Sequence, residues 1–334
     1  MRLSALVPLL LSSATLAAAP ASTVTTTLPG PDGGWDYAGV DAAHAMLYVA
    51  RATSVTAFDL ADGGKARSIG AIAHGHAVLP LPGDRLLLTS GDDNSVRILR
   101  AADGTELAHI AVGQKPDGAV FDAASGKAYV MAAKDGVVDV IDTRTAKMIG
   151  TVALKPGLEF PALDNRGTLF VNNEDENEIE TVDTRTMKAG APIALPGCEA
   201  PSGLAYDAKT GRLISACDNG KAAIIDARAR KLVALLDIGQ GPDAVILDAA
   251  RRLAWIPCGK SGEIDRIALD GAAGPRVVAM LKTEVGARTG ALDPRTGHVY
   301  LPTAAFGVAA SGQARPPIMP GTFHVLVVNP ATTG

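Results

Sequence analysis

The chain has 334 residues and carries 31 Lys and Arg against 35 Asp and Glu, a formal net charge of −4. It contains no Lys/Arg run or basic patch, so no nucleic acid partner is expected: tight binding to phosphates has no electrostatic support. Hydrophobic residues make up 47% and aromatic ones only 4%, so a large core must be packed from Val, Ile, Leu and Ala.

Residues 1–21 open with Arg2, run through apolar positions from Leu3 to Leu11, and end in small residues from Ala17 to Ala21. This is the pattern of a secretory signal peptide, too short to span a bilayer as a helix. Cleavage is expected within 17–21, leaving 22–334 as one domain, periplasmic or secreted. No later stretch reaches the ~18 uninterrupted apolar residues of a transmembrane segment.

Beyond the signal the chain repeats. A hydrophobic strand running into a turn recurs, with turn positions at Asp59, Arg100, Asp142, Asp183, Asp226 and Ala268, spaced by 41, 42, 41, 43 and 42 residues. A seventh, Asn329, follows after 61. A period of about 40–45 with four short strands per unit is the signature of a β-propeller. The expected fold is all-β: a seven-bladed propeller of four-stranded antiparallel blades. In the third repeat the pattern predicts strands at 118–121, 128–132, 137–141 and 147–154. Alternation such as Val138, Asp139, Val140 suits strands buried between neighbouring blades. Asp at the head of each Asp-Thr-Arg-Thr turn caps the turn amides. The last repeat supplies only three strands, and a ring must hide its final edge. Residues 22–30 resemble an outermost strand and are predicted to pair with the last blade and close the disc.

Inner strands line the channel, and their first residues lie at one mouth. Five residues before the Asp that ends each inner strand stand Asp36, Asp117, Glu159, Ser202, Asp243 and Arg288, and strand register places His76 there in the second repeat. A ring of carboxylates with one imidazole, one hydroxyl and one guanidinium is therefore expected. Like charges held close raise each other's pKa or recruit a cation. Ca²⁺ or Zn²⁺ would relieve the ring, with His76, Asp117 and Glu159 as ligands. Arg288 could orient an anionic group. The long insertion at 303–321 joins the second and third strands of the last repeat on the same face. Its Phe306, Arg315, Ile318 and Met319 are candidate contacts of a binding loop; a plug for the channel is the other reading. Of His74 and His76, regular strand geometry lets only one face the channel. The acidic run 172–178 lacks the order of an EF-hand and reads as a polar loop of the repeat.

Export makes a disulfide chemically accessible, and three cysteines allow one bond with a thiol left over. Cys198 and Cys217 lie towards the same face of the disc and are the expected pair, with Cys217–Cys258 as the competitor. The nucleophile elbow, P-loop, HExxH and CxxCH motifs are all missing from the sequence.

The stretch LFVNNEDENEIETVDTRT at 169–186 resembles the YVTN-type propeller repeat. VGQKPDG at 112–118 and IGQGPDA at 238–244 resemble its connector. The chain is similar to YncE-like exported propellers, including the insertion ending in RPPIMPGTFHVLVV at 315–328. The second and sixth repeats depart from the pattern, with Leu99-Arg100 and Ile267-Ala268 in place of Ile-Asp. The resemblance implies a seven-bladed propeller and no particular reaction. The expected function is a binding or scaffold module presenting the mouth and the loop to a small ligand or periplasmic protein. The alternative is a metal-dependent lactonase-like hydrolase, with Glu159 or His76 as general base and Arg288 holding a substrate carboxylate.

Overall fold

The structure, a computed structural model, describes residues 23–271, 274–309 and 316–330. The predicted signal peptide at 1–21 lies outside these residues. Seven sheets follow one another around a ring. The third is representative: Pro116–Asp122 is innermost, followed by Lys127–Ala132, Val137–Asp142 and Lys147–Ala153, all antiparallel. The turn chemistry acts as its sequence dictates. Asp142 Oδ1 accepts from the amides of Arg144 and Thr145 at 2.9 and 3.3 Å. Asp183 does the same for Arg185 and Thr186, both at 2.9 Å.

The core is divided among the blade interfaces, because strand side chains alternate between two faces. From Lys127–Ala132, Ala128 and Val130 pack against blade two, whereas Tyr129 and Met131 pack against blade four. Every neighbouring pair of blades shares one such cluster. A ring built this way depends on its seam. The strand Thr23–Pro29 pairs with His324–Asn329, from Thr23 opposite Asn329 to Pro29 opposite His324, and supplies the outermost strand of blade seven. Its Leu28 is buried with Trp35, Phe58 and Phe323 between blades seven and one. The Thr289 hydroxyl, donating to the carbonyl of Asp36 at 2.8 Å, ties the same seam at the mouth.

Two local departures have physical causes. The outermost strand of blade four is broken into Lys188–Ala189 and Ile193–Ala194, where Pro192 has no N–H to give the ladder. In blade five, Cys198 and Cys217 form the disulfide, with sulfurs 2.04 Å apart. Cys258 is left as a buried thiol, 3.4 Å from Asp265 Oδ2.

Candidate functional site

The seven predicted mouth positions are aimed by a repeated backbone device. Two residues upstream of each, the chain turns left-handed: His74 (φ 60°), Lys115 (54°), Gly157 (86°), Ala200 (46°), Gly241 (66°) and Gly286 (95°). In the first blade Gly33 (φ 121°) does this one residue earlier. A β-bulge follows in blades one to five, between Trp35 and Ala38, Gly75 and Val78, Pro116 and Ala119, Leu158 and Pro161, and Pro201 and Leu204. Bulges re-aim side chains at the rims of closed sheets. Here each bulge contains the ring residue and the residue after it.

That second bulge position sets the floor. It is Tyr37 in blade one and Phe160 in blade four, whose rings lie 5.0 Å apart. These blades are not neighbours, so the two aromatics meet across the channel. The other bulges hold Ala77, Gly118 and Gly203. A Cβ on Gly203 would come within 2.5 Å of the Ala244 backbone, so that blade has no room for a side chain.

Above this floor lies a cavity of about 650 Å³ lined by Asp36, His76, Asp117, Glu159, Ser202, Asp243 and Arg288 together. Phe306, Pro316 and Ile318 of the insertion form part of its wall. Phe306 pairs with Ile318 in a short antiparallel bridge, and its ring lies 6.1 Å from that of Trp35. Arg51 stacks 3.6 Å over Phe323, which in turn packs 5.5 Å from Trp35. The far end of the loop is held where the Gly321 amide meets both carboxylate oxygens of Asp32, at 2.8 and 2.7 Å. Met319, expected as a contact, is exposed and does not line the cavity. Arg315 lies outside the described residues.

The sequence pattern missed three further polar residues of this cavity. Lys115 and His74 occupy the left-handed positions, and Glu174 comes from the acidic run after the second strand of blade four. Both His74 and His76 face the cavity, their rings stacked 4.6 Å apart. The alternation rule fails because His74 is not in strand conformation. Lys115 and His74 had no distinguishing residue type. Glu174 had a signal, its acidic run, which the repeat's polar loop explained equally well.

The lining holds five carboxyl groups against Arg288, Lys115 and the two histidines, His74 and His76. Arg288 Nε donates to Asp243 at 2.7 Å, and His76 Nδ1 lies 2.7 Å from Asp36 and 3.8 Å from Asp117. Burial, with the neighbouring negative charges of Asp36 and Asp243 adding to it, pushes Asp117 up to about 7 against the pull of His76. Burial, then the charges of Asp117, Glu174 and Asp243, push Glu159 up to about 10. Glu174 and Asp243 are also raised, in both cases chiefly by burial. For His76 burial would lower the pKa, but the bond to Asp36 and the charge of Asp117 prevail and raise it. The lining thus carries more carboxyl groups than basic side chains. Asp36, His76 and Asp117 bring ligand atoms within 4.8 Å of one another. Glu159, expected as the third ligand, lines the same cavity but stands outside that group.

Neither a protein-family model nor a curated protein matches the chain by sequence. Solved structures do match by fold. One is a chain of hydrazine synthase from Kuenenia stuttgartiensis, at TM-score 0.70 and 17% identity, over 83% of this chain and 94% of that one. A chain of the mitotic checkpoint complex matches at TM-score 0.74 and 14% identity, over 99% of both. The WD40 repeats of RRP9 match at TM-score 0.76 and 12% identity, over 93% of this chain and 99% of that one. At these identities the likeness speaks for the seven-bladed fold alone.

Proposed function

We propose that the protein is an exported binding propeller of the YVTN-repeat, YncE-like kind, taking a small positively charged ligand in the mouth cavity. One observation carries the reading: five carboxyl groups share a single concavity with Arg288, Lys115 and two histidines, and Trp35, Phe306 and Ile318 line it as well. Its volume of about 650 Å³ lies within the usual range of small-molecule sites, which combine an apolar lining with a few convergent polar groups. Carboxylates would neutralise the charged group, and the aromatic wall would take an apolar body or stack on a cation. Export is supported by the signal-like start of the sequence and agrees with the disulfide. Thermal melts of the protein with choline and spermidine, and with citrate as the anionic control, test the reading. Stabilisation by a cation and not by citrate is expected. No shift with either cation, or an equal shift with citrate, would overturn it.

The lactonase-like alternative draws on a different observation, the Asp36, His76 and Asp117 group. Its test is hydrolysis of lactones and aryl esters by zinc-loaded protein, abolished in Asp117→Asn.

A further inference from the structure

The geometry points to a divalent transition-metal site, for zinc, formed by Asp36, His76 and Asp117 in one corner of the mouth cavity. It rests on the reading of the cavity as a cation-binding concavity and names one such cation. The three residues occupy the same bulge position in blades one, two and three, so three rigid sheets converge on one point. Zinc holds nitrogen and oxygen ligands at about 2.0–2.2 Å, which sets tetrahedral ligand atoms roughly 3.3 Å from one another. The distances from His76 Nδ1 to Asp36 Oδ2 and Asp117 Oδ1, 2.7 and 3.8 Å, lie on either side of that value. A metal ion would take the place of the hydrogen bond between His76 Nδ1 and Asp36 Oδ2.

Two further observations favour a metal over a merely solvated acid pair. Asp117 is 7% exposed, and its only partner among the described residues is the His76 ring at 3.8 Å. A buried carboxylate so poorly partnered is costly. The ligands are also fixed from behind. The Thr89 hydroxyl donates to the Asp117 carbonyl at 2.8 Å and accepts from the amide of Ala77, next to His76, at 2.8 Å. The Thr289 hydroxyl holds the Asp36 carbonyl in the same way, at 2.8 Å. These bonds hold the backbone from which the three ligand side chains project. An imidazole among the donors selects zinc over calcium, which prefers six to eight oxygens. With three protein ligands, the remaining coordination position would open into the cavity, where water or an oxygen-bearing ligand could bind.

The test is calorimetric titration of the chelator-treated full chain with zinc chloride, with calcium chloride as the comparison. Cobalt substitution provides a visible spectrum that needs no variant. One equivalent of zinc is expected, with affinity lowered at least about 100-fold in His76→Gln and in Asp117→Asn. The cobalt form should show the strong d–d band of a low-coordinate site. Absence of zinc binding, zinc affinity unchanged in His76→Gln, or calcium bound as tightly as zinc would each overturn the site. A weak, octahedral-type cobalt spectrum would overturn it without recourse to a variant. Choline or spermidine binding that persists when zinc binding is absent would leave the cavity reading intact while this one falls.

Discussion

Replacing Glu159 by Gln tests whether burial in the mouth keeps this carboxyl protonated at neutral pH. Burial and the charges of Asp117, Glu174 and Asp243 push Glu159 from the ordinary carboxyl value of 4.5 to about 10. At pH 7.5 the folded protein therefore holds a proton that the unfolded chain has released. Three pH units at 1.36 kcal/mol each give an upper figure of about 4 kcal/mol of lost stability. Relaxation and water entering an open cavity reduce this, so the expected gain from Glu159→Gln is about 2–4 kcal/mol. At about 2.1 cal/mol/K of unfolding entropy per residue, that raises Tm by roughly 3–6 °C in a chain of this length. The sign follows from the raised folded-state pKa. The penalty is absent below 4.5 and grows as pH rises toward the folded value, so variant and wild type should melt almost together at pH 5. Scanning calorimetry at pH 5 and 7.5 reads both temperatures. A variant no more stable at pH 7.5, or a gap equally large at pH 5, would refute the reasoning.

Other expected outcomes concern the scaffold. Deleting residues 23–29 removes the outermost strand of blade seven and uncovers Phe58 and Phe323; size-exclusion chromatography should show aggregation, and an unchanged monomer with an unchanged melt would contradict the seam's role. The disulfide closes a separation of 19 residues, so a Cys198→Ser, Cys217→Ser protein should lose about 3 kcal/mol in urea unfolding, and a loss below about 1 kcal/mol would count against that role. On the opposite face, burial alone would raise Asp207, but twin bonds from Arg252 at 2.7 and 2.6 Å hold it down at about 2. That pair should contribute about 2 kcal/mol at neutral pH, present above 3.8 and lost as pH falls through 2; Arg252→Ala should remove this acid dependence. Gly203→Ala, whose Cβ meets the Ala244 backbone at 2.5 Å, should destabilise by about 1–3 kcal/mol, read from its thermal melt.

The fold was legible because a propeller repeats its grammar. The hydrophobic-to-turn period located each blade, and the spare strand-like segment before blade one supplied the missing edge. The ring was legible for the same reason: one register carried seven positions to one cavity. What the register could not convey were the irregular positions. His74 and Lys115 reach the cavity through left-handed backbone that their residue types do not announce. The aromatic floor had a sequence signal, large residues at 37 and 160 against small ones at 77, 118 and 203. Reading it requires knowing that two residues share each bulge. Glu174 was hidden because an acidic loop has the same composition whether it points to solvent or to a cavity.

The measurement that bears most directly on the central claim is calorimetric titration of spermidine into the wild-type protein and into a Glu174→Gln, Asp243→Asn variant at low and moderate salt. A single site is expected on the wild type, weakened by salt and lost in the variant. Equal binding by both proteins, or binding of citrate in place of spermidine, would contradict it.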